Sequence, residues 1–186
     1  IRDKVKTLIK RFGFTYSDNP DVLIVVGGDQ TFLSAAKKNL NRQIVGLNNG
    51  HLGFMYEFQY LEIESLLKTL KKENFKVIHY PIYKAEIFMH KKGKQSFYFL
   101  NDLIIERQSE KSVLIDLNIN NQFSFSLMGD GVIISSSLGS NAYSRSVNGV
   151  TFADIIPSFQ IVPIAPINNK VYTSLENPLI IKDDNI

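Results

Sequence analysis

Near Asn74 the hydrophobic pattern of this chain changes period, and that change limits the fold more than any other feature. Before it, helix and strand signals alternate. Val5, Leu8, Ile9 and Phe12 form a helical stripe over Lys4 to Phe12, and Gly13 is a stop. Asp21 to Val26 is a short apolar run rich in β-branched residues, bounded by Pro20 and Gly27, which predicts a buried parallel strand. A helix is expected from Thr31 to Asn39, a second strand from Gln43 to Leu47, and an amphipathic helix from Leu61 to Lys72. Such alternation predicts an α/β layer with a parallel sheet.

After Asn74 the signals are almost all strand. Tyr83 to Met89, Ser96 to Arg107 and Gly131 to Ser136 read as strands, as do Ile161 to Ile167 and Asn177 to Ile181. Val113, Ile115, Leu117 and Ile119 alternate with polar residues, Asn120-Asn121 signals a hairpin turn, and Phe123, Phe125 and Leu127 alternate on the way back. The expected architecture is an α/β domain over 1–73 and a β-rich, β-sandwich-like domain over 74–186.

Composition narrows the function class. The chain has 186 residues, enough for two small cores, and no cysteine, which excludes disulfides and thiolate metal sites. No two of its histidines, His51, His79 and His90, have metal-ligand spacing, so no metal site is expected. No apolar run approaches the ~20 residues of a membrane span, and no signal segment opens the chain. The expectation is a cytoplasmic protein without a membrane partner. The net charge is +3, and the Lys pairs at 37–38, 71–72 and 91–92 are dispersed, which reads as solvated faces rather than a nucleic-acid stripe. A weak positive field favours a polyphosphate substrate. The chain starts at Ile1 and stops as a strand finishes, so missing flanking segments are expected.

Three places carry candidate chemistry. Gly27, Gly28 and Asp29 join the first strand to a helix. Ligands gather at strand C-terminal ends in α/β sheets. Glycines allow close approach, helix N–H groups favour an anion, and Thr31 is expected to cap the helix. Neither a Walker A loop nor a GxGxxG fingerprint is present. Asn101 and Asp102 interrupt an apolar stretch and need partners or a bulge. Gly139 to Ser144 forms a turn in which Ser140 and Asn141 are expected to cap a helix and Tyr143 offers an aromatic edge.

The segment from Val26 to Leu33 resembles the Gly-Gly-Asp-Gly-Thr loop of the NAD kinase and diacylglycerol kinase superfamily. By that resemblance Asp29 is the general base, and Gly27, Gly28, Gln30 and Thr31 lie beside phosphates. Gln30 stands where the family has Gly, and a positive φ there would strain it. Gly50-His51-Leu52-Gly53-Phe54 resembles a segment of bacterial NAD kinases that lipid kinases lack, which puts Phe54 at the border of the NAD pocket. His51 itself reads as a structural residue. Asn101-Asp102 is similar to the family's adenine-binding Asn-Glu pair. Gly129-Asp130-Gly131 through Gly149 resembles the Gly-Asp-Gly…Pro-Thr-Gly-Ser-Thr-Ala-Tyr block. This implies that Asp130 serves the nicotinamide side, and that Ser140, Asn141, Ala142 and Tyr143 serve the adenosine side. Ser137-Leu138 replaces Pro-Thr, and Asn141 replaces Thr.

The resemblance runs from about Asp21 to Ile181. It implies an NAD kinase that transfers a phosphoryl group from ATP to the 2′-hydroxyl of the adenosine ribose of NAD, giving NADP. It further implies Mg²⁺ or another divalent cation with ATP, and a homo-oligomer, dimer or tetramer, built through the β-rich domain. A lipid kinase of the same superfamily and a non-catalytic NAD-binding relative are the alternatives.

Overall fold

In a computed structural model the chain is described over residues 2–50, 53–153, 157–168 and 174–183. It divides into two compact units, Ile1–Ile82 and Tyr83–Ile186. The irregular stretch 74–82 thus belongs with the first unit, whereas the change of pattern suggested a division at 73/74.

The first unit holds α1 (Arg2–Arg11), β1 (Val22–Gly27), α2 (Asp29–Lys38), β2 (Gln43–Asn48), β3 (Phe58–Gln59) and α3 (Ile63–Lys71). Its three strands form a parallel sheet in the order β1-β2-β3, and β1 and β2 pair from Val22–Gln43 to Gly27–Asn48. Both strands therefore end at the same level. Ile63, Leu66 and Leu67 recur at helical spacing on α3 and bury with Val5 of α1 and Leu47 of β2. Each such side chain contributes about 1.5–3 kcal/mol on burial. The helix expected at Leu61 opens instead with a 3₁₀ turn, Tyr60–Glu62. There the Glu62 carboxylate accepts from the Gln59 amide at 2.7 Å, closing a capping box.

The second unit holds β4 (Tyr83–Met89), β5 (Gly93–Phe99), β6 (Asp102–Glu106), β7 (Val113–Ile119), β8 (Phe123–Gly129), β9 (Gly131–Ser136), α4 (Tyr143–Ser146), β10 (Ser158–Ile164) and β11 (Leu179–Lys182). A four-stranded antiparallel sheet runs β11-β10-β9-β6, and β4–β5 and β7–β8 are hairpins. Asn120 and Asn121 turn the second hairpin with φ of 52° and 55°, the left-handed geometry that suits strand twist. Leu127, Val132 and Ile161 form a buried core between that hairpin and the sheet. The strand expected over 96–107 is two strands, because the chain breaks pairing at Leu100 and Asn101.

Candidate functional site

The Gly27-Gly28-Asp29 loop forms where β1 gives way directly to α2. The helix starts at Asp29, two residues earlier than the sequence suggests, with Gly28 as its N-cap and no side-chain cap bond. Thr31 does not cap it. Its side chain folds back over Gly27, where an added Cβ would stand 2.7 Å from the Thr31 hydroxyl. Over Gly28, by contrast, the space is open, since a Cβ there would meet nothing within 4 Å. Open space beside a helix N-terminus suits an anion.

The Asp29 carboxylate is gripped by backbone. The Phe54 amide donates to both of its oxygens at 3.1 Å, and the Met55 amide donates to Oδ1 at 3.2 Å. A carboxylate has about four lone-pair sites, so Oδ2, with one shared donor, keeps capacity to accept a proton. The β2 exit is tied in as well: the Asn49 amide donates to the Gly27 carbonyl at 3.1 Å, and buried Asn48 accepts from the Gly50 amide at 2.8 Å. Gln30 lies exposed in the first turn of α2 without a positive φ, so the feared backbone strain is absent. The Phe54 side chain is 82% exposed, and it is the Phe54 backbone that touches Asp29. His51 lies outside the described residues.

The second unit brings two of the sequence motifs together. Gly139 packs on the Asn101-Asp102 backbone, where a Cβ would stand 2.3 Å from the Asn101 carbonyl oxygen and 2.6 Å from Asp102 Oδ1. The Ser136 amide donates to the Asn101 carbonyl at 2.9 Å. Asn101 Oδ1 and Asp102 Oδ1 are buried without a hydrogen-bond partner. Burial raises the Asp102 pKa, and hydrogen bonds from Ser135 and the Tyr143 backbone offset part of that rise.

Ser140 and Asn141 do not cap α4, whose N-cap is Ala142 without a side-chain bond. The fully buried Ser140 hydroxyl turns inward to the Ser137 carbonyl at 2.6 Å. Asn141 Oδ1 accepts from Thr151 at 3.1 Å. Tyr143 is 43% exposed at the start of α4, so its ring is available to a ligand. Asp130 lies in the bend between β8 and β9 and pairs with Arg107, Nε to Oδ1 at 2.6 Å.

Sequence reasoning missed Arg107, Tyr56 and the buried Gln160, whose amide group bonds both the N–H and C=O of Val150 at 2.9 Å. A polar residue inside the apolar run around Ile161 and Val162 was the available signal for Gln160. Arg107 had none, since its partner Asp130 comes from a bend 23 positions later.

Comparison with known proteins places these features in a family. Residues 4–75 match the ATP-NAD kinase N-terminal domain and residues 100–185 the ATP-NAD kinase C-terminal domain. The NAD kinase of Limosilactobacillus reuteri subsp. reuteri (strain JCM 1112) is 35% identical over 185 residues, covering 97% of this chain and 68% of that protein. The chain belongs to the NAD kinase family. Another member, the NAD kinase of Streptococcus thermophilus (strain CNRZ 1066), is 36% identical over 88% of this chain and 60% of its own length. The chain thus spans roughly two thirds of these relatives. Two solved family structures share the fold. The yeast NADH kinase complexed with NADH matches with a TM-score of 0.77 at 23% identity, covering 88% of this chain and 48% of that one. The Archaeoglobus fulgidus NAD kinase in complex with ATP matches with a TM-score of 0.77 at 22% identity, covering 97% and 72%.

Proposed function

We propose that this chain carries the NAD kinase reaction, phosphoryl transfer from ATP to the 2′-hydroxyl of the adenosine ribose of NAD. The observation that carries this reading is the Asp29 carboxylate, held by two backbone amides beside open space at the N-terminus of α2. Phosphoryl transfer needs little covalent help from the protein and much positioning. Asp29 Oδ2 accepts the proton of the attacking hydroxyl. The hydroxyl oxygen bonds to the γ-phosphorus, the bond to the bridging oxygen breaks, and ADP leaves with those electrons. Gly27, Gly28, Gln30 and Thr31 border the phosphates.

Asn101, Asp102, Ser140, Asn141, Ala142 and Tyr143 receive the adenosine portion, with the unpartnered acceptors of Asn101 and Asp102 suited to donors on a base. Asp130 serves the nicotinamide end. Among the described residues no group of three or more His, Cys, Asp or Glu is placed to hold a metal. A divalent cation brought in with ATP would neutralise charge on the phosphates during transfer.

A non-catalytic NAD-binding relative was the alternative that Gln30 kept open. A helical, exposed Gln30 removes the backbone objection to catalysis. The family reading further assigns a cytoplasmic homo-oligomer, dimer or tetramer, joined through the second unit. Exposed Phe88, Leu114 and Phe123 on that unit support such an interface. No helix among the described residues is long and apolar enough to cross a membrane. The test of the whole reading is formation of NADP from NAD, ATP and Mg²⁺. Phosphorylation of a lipid in place of NAD would overturn it.

A further inference from the structure

Gly28 is a helix N-cap without a side chain, so nothing of its own holds its peptide plane. That plane is rigid and carries the Asp29 nitrogen, so any rotation of it moves the Asp29 carboxylate. The Gly28 carbonyl accepts from the Thr31 and Phe32 amides at 2.8 and 3.2 Å, both within the helix. It also accepts from outside the helix, from the phenol of Tyr56 at 2.8 Å.

The Tyr56 ring is seated by glycines on either side. A Cβ on Gly46 of β2 would come within 2.3 Å of a ring carbon, and one on Gly53 within 2.9 Å. Phe32 of α2 meets the ring edge-on, with centroids 5.7 Å apart. Tyr56 also directly follows Phe54 and Met55, whose amides hold Asp29. One side chain thus fixes the loop from two directions: its ring anchors the amides that grip the carboxylate, and its hydroxyl anchors the peptide that bears it.

We propose that Tyr56 is a positioning residue that sets the orientation of Asp29 through the Gly28 carbonyl; its catalytic consequence rests on the kinase reading of this loop. Burial and then the Asp29 charge push the Tyr56 phenol above its ordinary pKa, so the group remains a donor at neutral pH. Tyr56 lies outside every motif that marked the site in the sequence, since its partners are a carbonyl and two glycines rather than a substrate.

The decisive variant is Tyr56→Phe, which keeps the ring and its packing and removes the hydroxyl alone. Two readouts are taken on the same proteins: NADP formation, and hydrogen exchange at the Phe54 and Met55 amides. The expected result is a fall of about fivefold to tenfold in kcat, the scale of losing one hydrogen bond. KM for NAD and ATP stays within about twofold, the melting temperature is nearly unchanged, and both amides lose protection. Gly46→Ala, which displaces the ring, also lowers protection at the two amides. Full kcat in Tyr56→Phe overturns the proposal, and so does a loss of kcat with both amides as protected as before. If neither protein makes NADP, the kinase reading fails; the exchange result then still decides, with unchanged protection overturning the positioning role and lost protection upholding it.

Discussion

Gly139 sits so close to Asn101 that a Cβ on it would stand 2.3 Å from the Asn101 carbonyl oxygen. Backbone meets backbone here, and no flexible side chain can give way. This contact holds the turn before Tyr143 against the edge where β6 begins. Gly139→Ala therefore separates the two halves of the proposed adenosine site. The expected cost is about 1–3 kcal/mol of stability, the usual range for overpacking, together with weaker NAD binding. Chemical denaturation and NAD titration measure the two effects, and a variant with wild-type stability contradicts the packing described.

Asp102 makes a pH-dependent prediction. Burial is the main cause that lifts its pKa in the folded chain above the ordinary 3.8. Between the unfolded and folded values the folded state binds more protons, so Asp102 contributes a loss of stability as pH rises through that window. Above the folded value the penalty is complete. Asp102→Asn is expected to be more stable than the parent at neutral pH, with the gain shrinking as pH falls toward 3.8. Melting curves across that range check the sign. A neutral-pH loss of stability in this variant would mean that the carboxylate is satisfied as an anion.

Gln30 is exposed and helical, so the backbone does not require a glycine at this position. Gln30→Gly is expected to lower stability by up to about 1 kcal/mol, because glycine loses more backbone entropy in a helix. Turnover should stay within a few-fold of the parent. A rise of a hundredfold or more would show that the glutamine side chain obstructs the phosphates.

Much of the architecture was readable because hydrophobic period follows secondary structure directly. Tyr83 to Met89, Val113 to Ile119 and Gly131 to Ser136 are strands with the ends expected of them. The Asn120-Asn121 turn follows from the tolerance of asparagine for left-handed φ. What failed depended on contacts that hydrophobic period does not encode. The start of α2 moved to Asp29 because Gly28 serves as N-cap with no side chain to announce it. The single strand expected over 96–107 is two because β5 pairs with β4 whereas β6 pairs with β9, so the chain changes partner at Leu100 and Asn101. For Ser140, the carbonyl of Ser137 won over the helix end. The motifs themselves were visible, but what grips Asp29 was not, since the grip is made by backbone amides and Tyr56 holds a carbonyl.

The central claim is that Asp29 takes the proton from the ribose hydroxyl. It is tested most directly by NADP formation in the parent chain beside Asp29→Asn, with NAD binding measured on both. Asparagine keeps an acceptor for the Phe54 and Met55 amides but is no base. The account predicts turnover in the parent and a fall of about 10²–10⁴ in the variant, with NAD affinity largely kept. Equal turnover in the two proteins contradicts it.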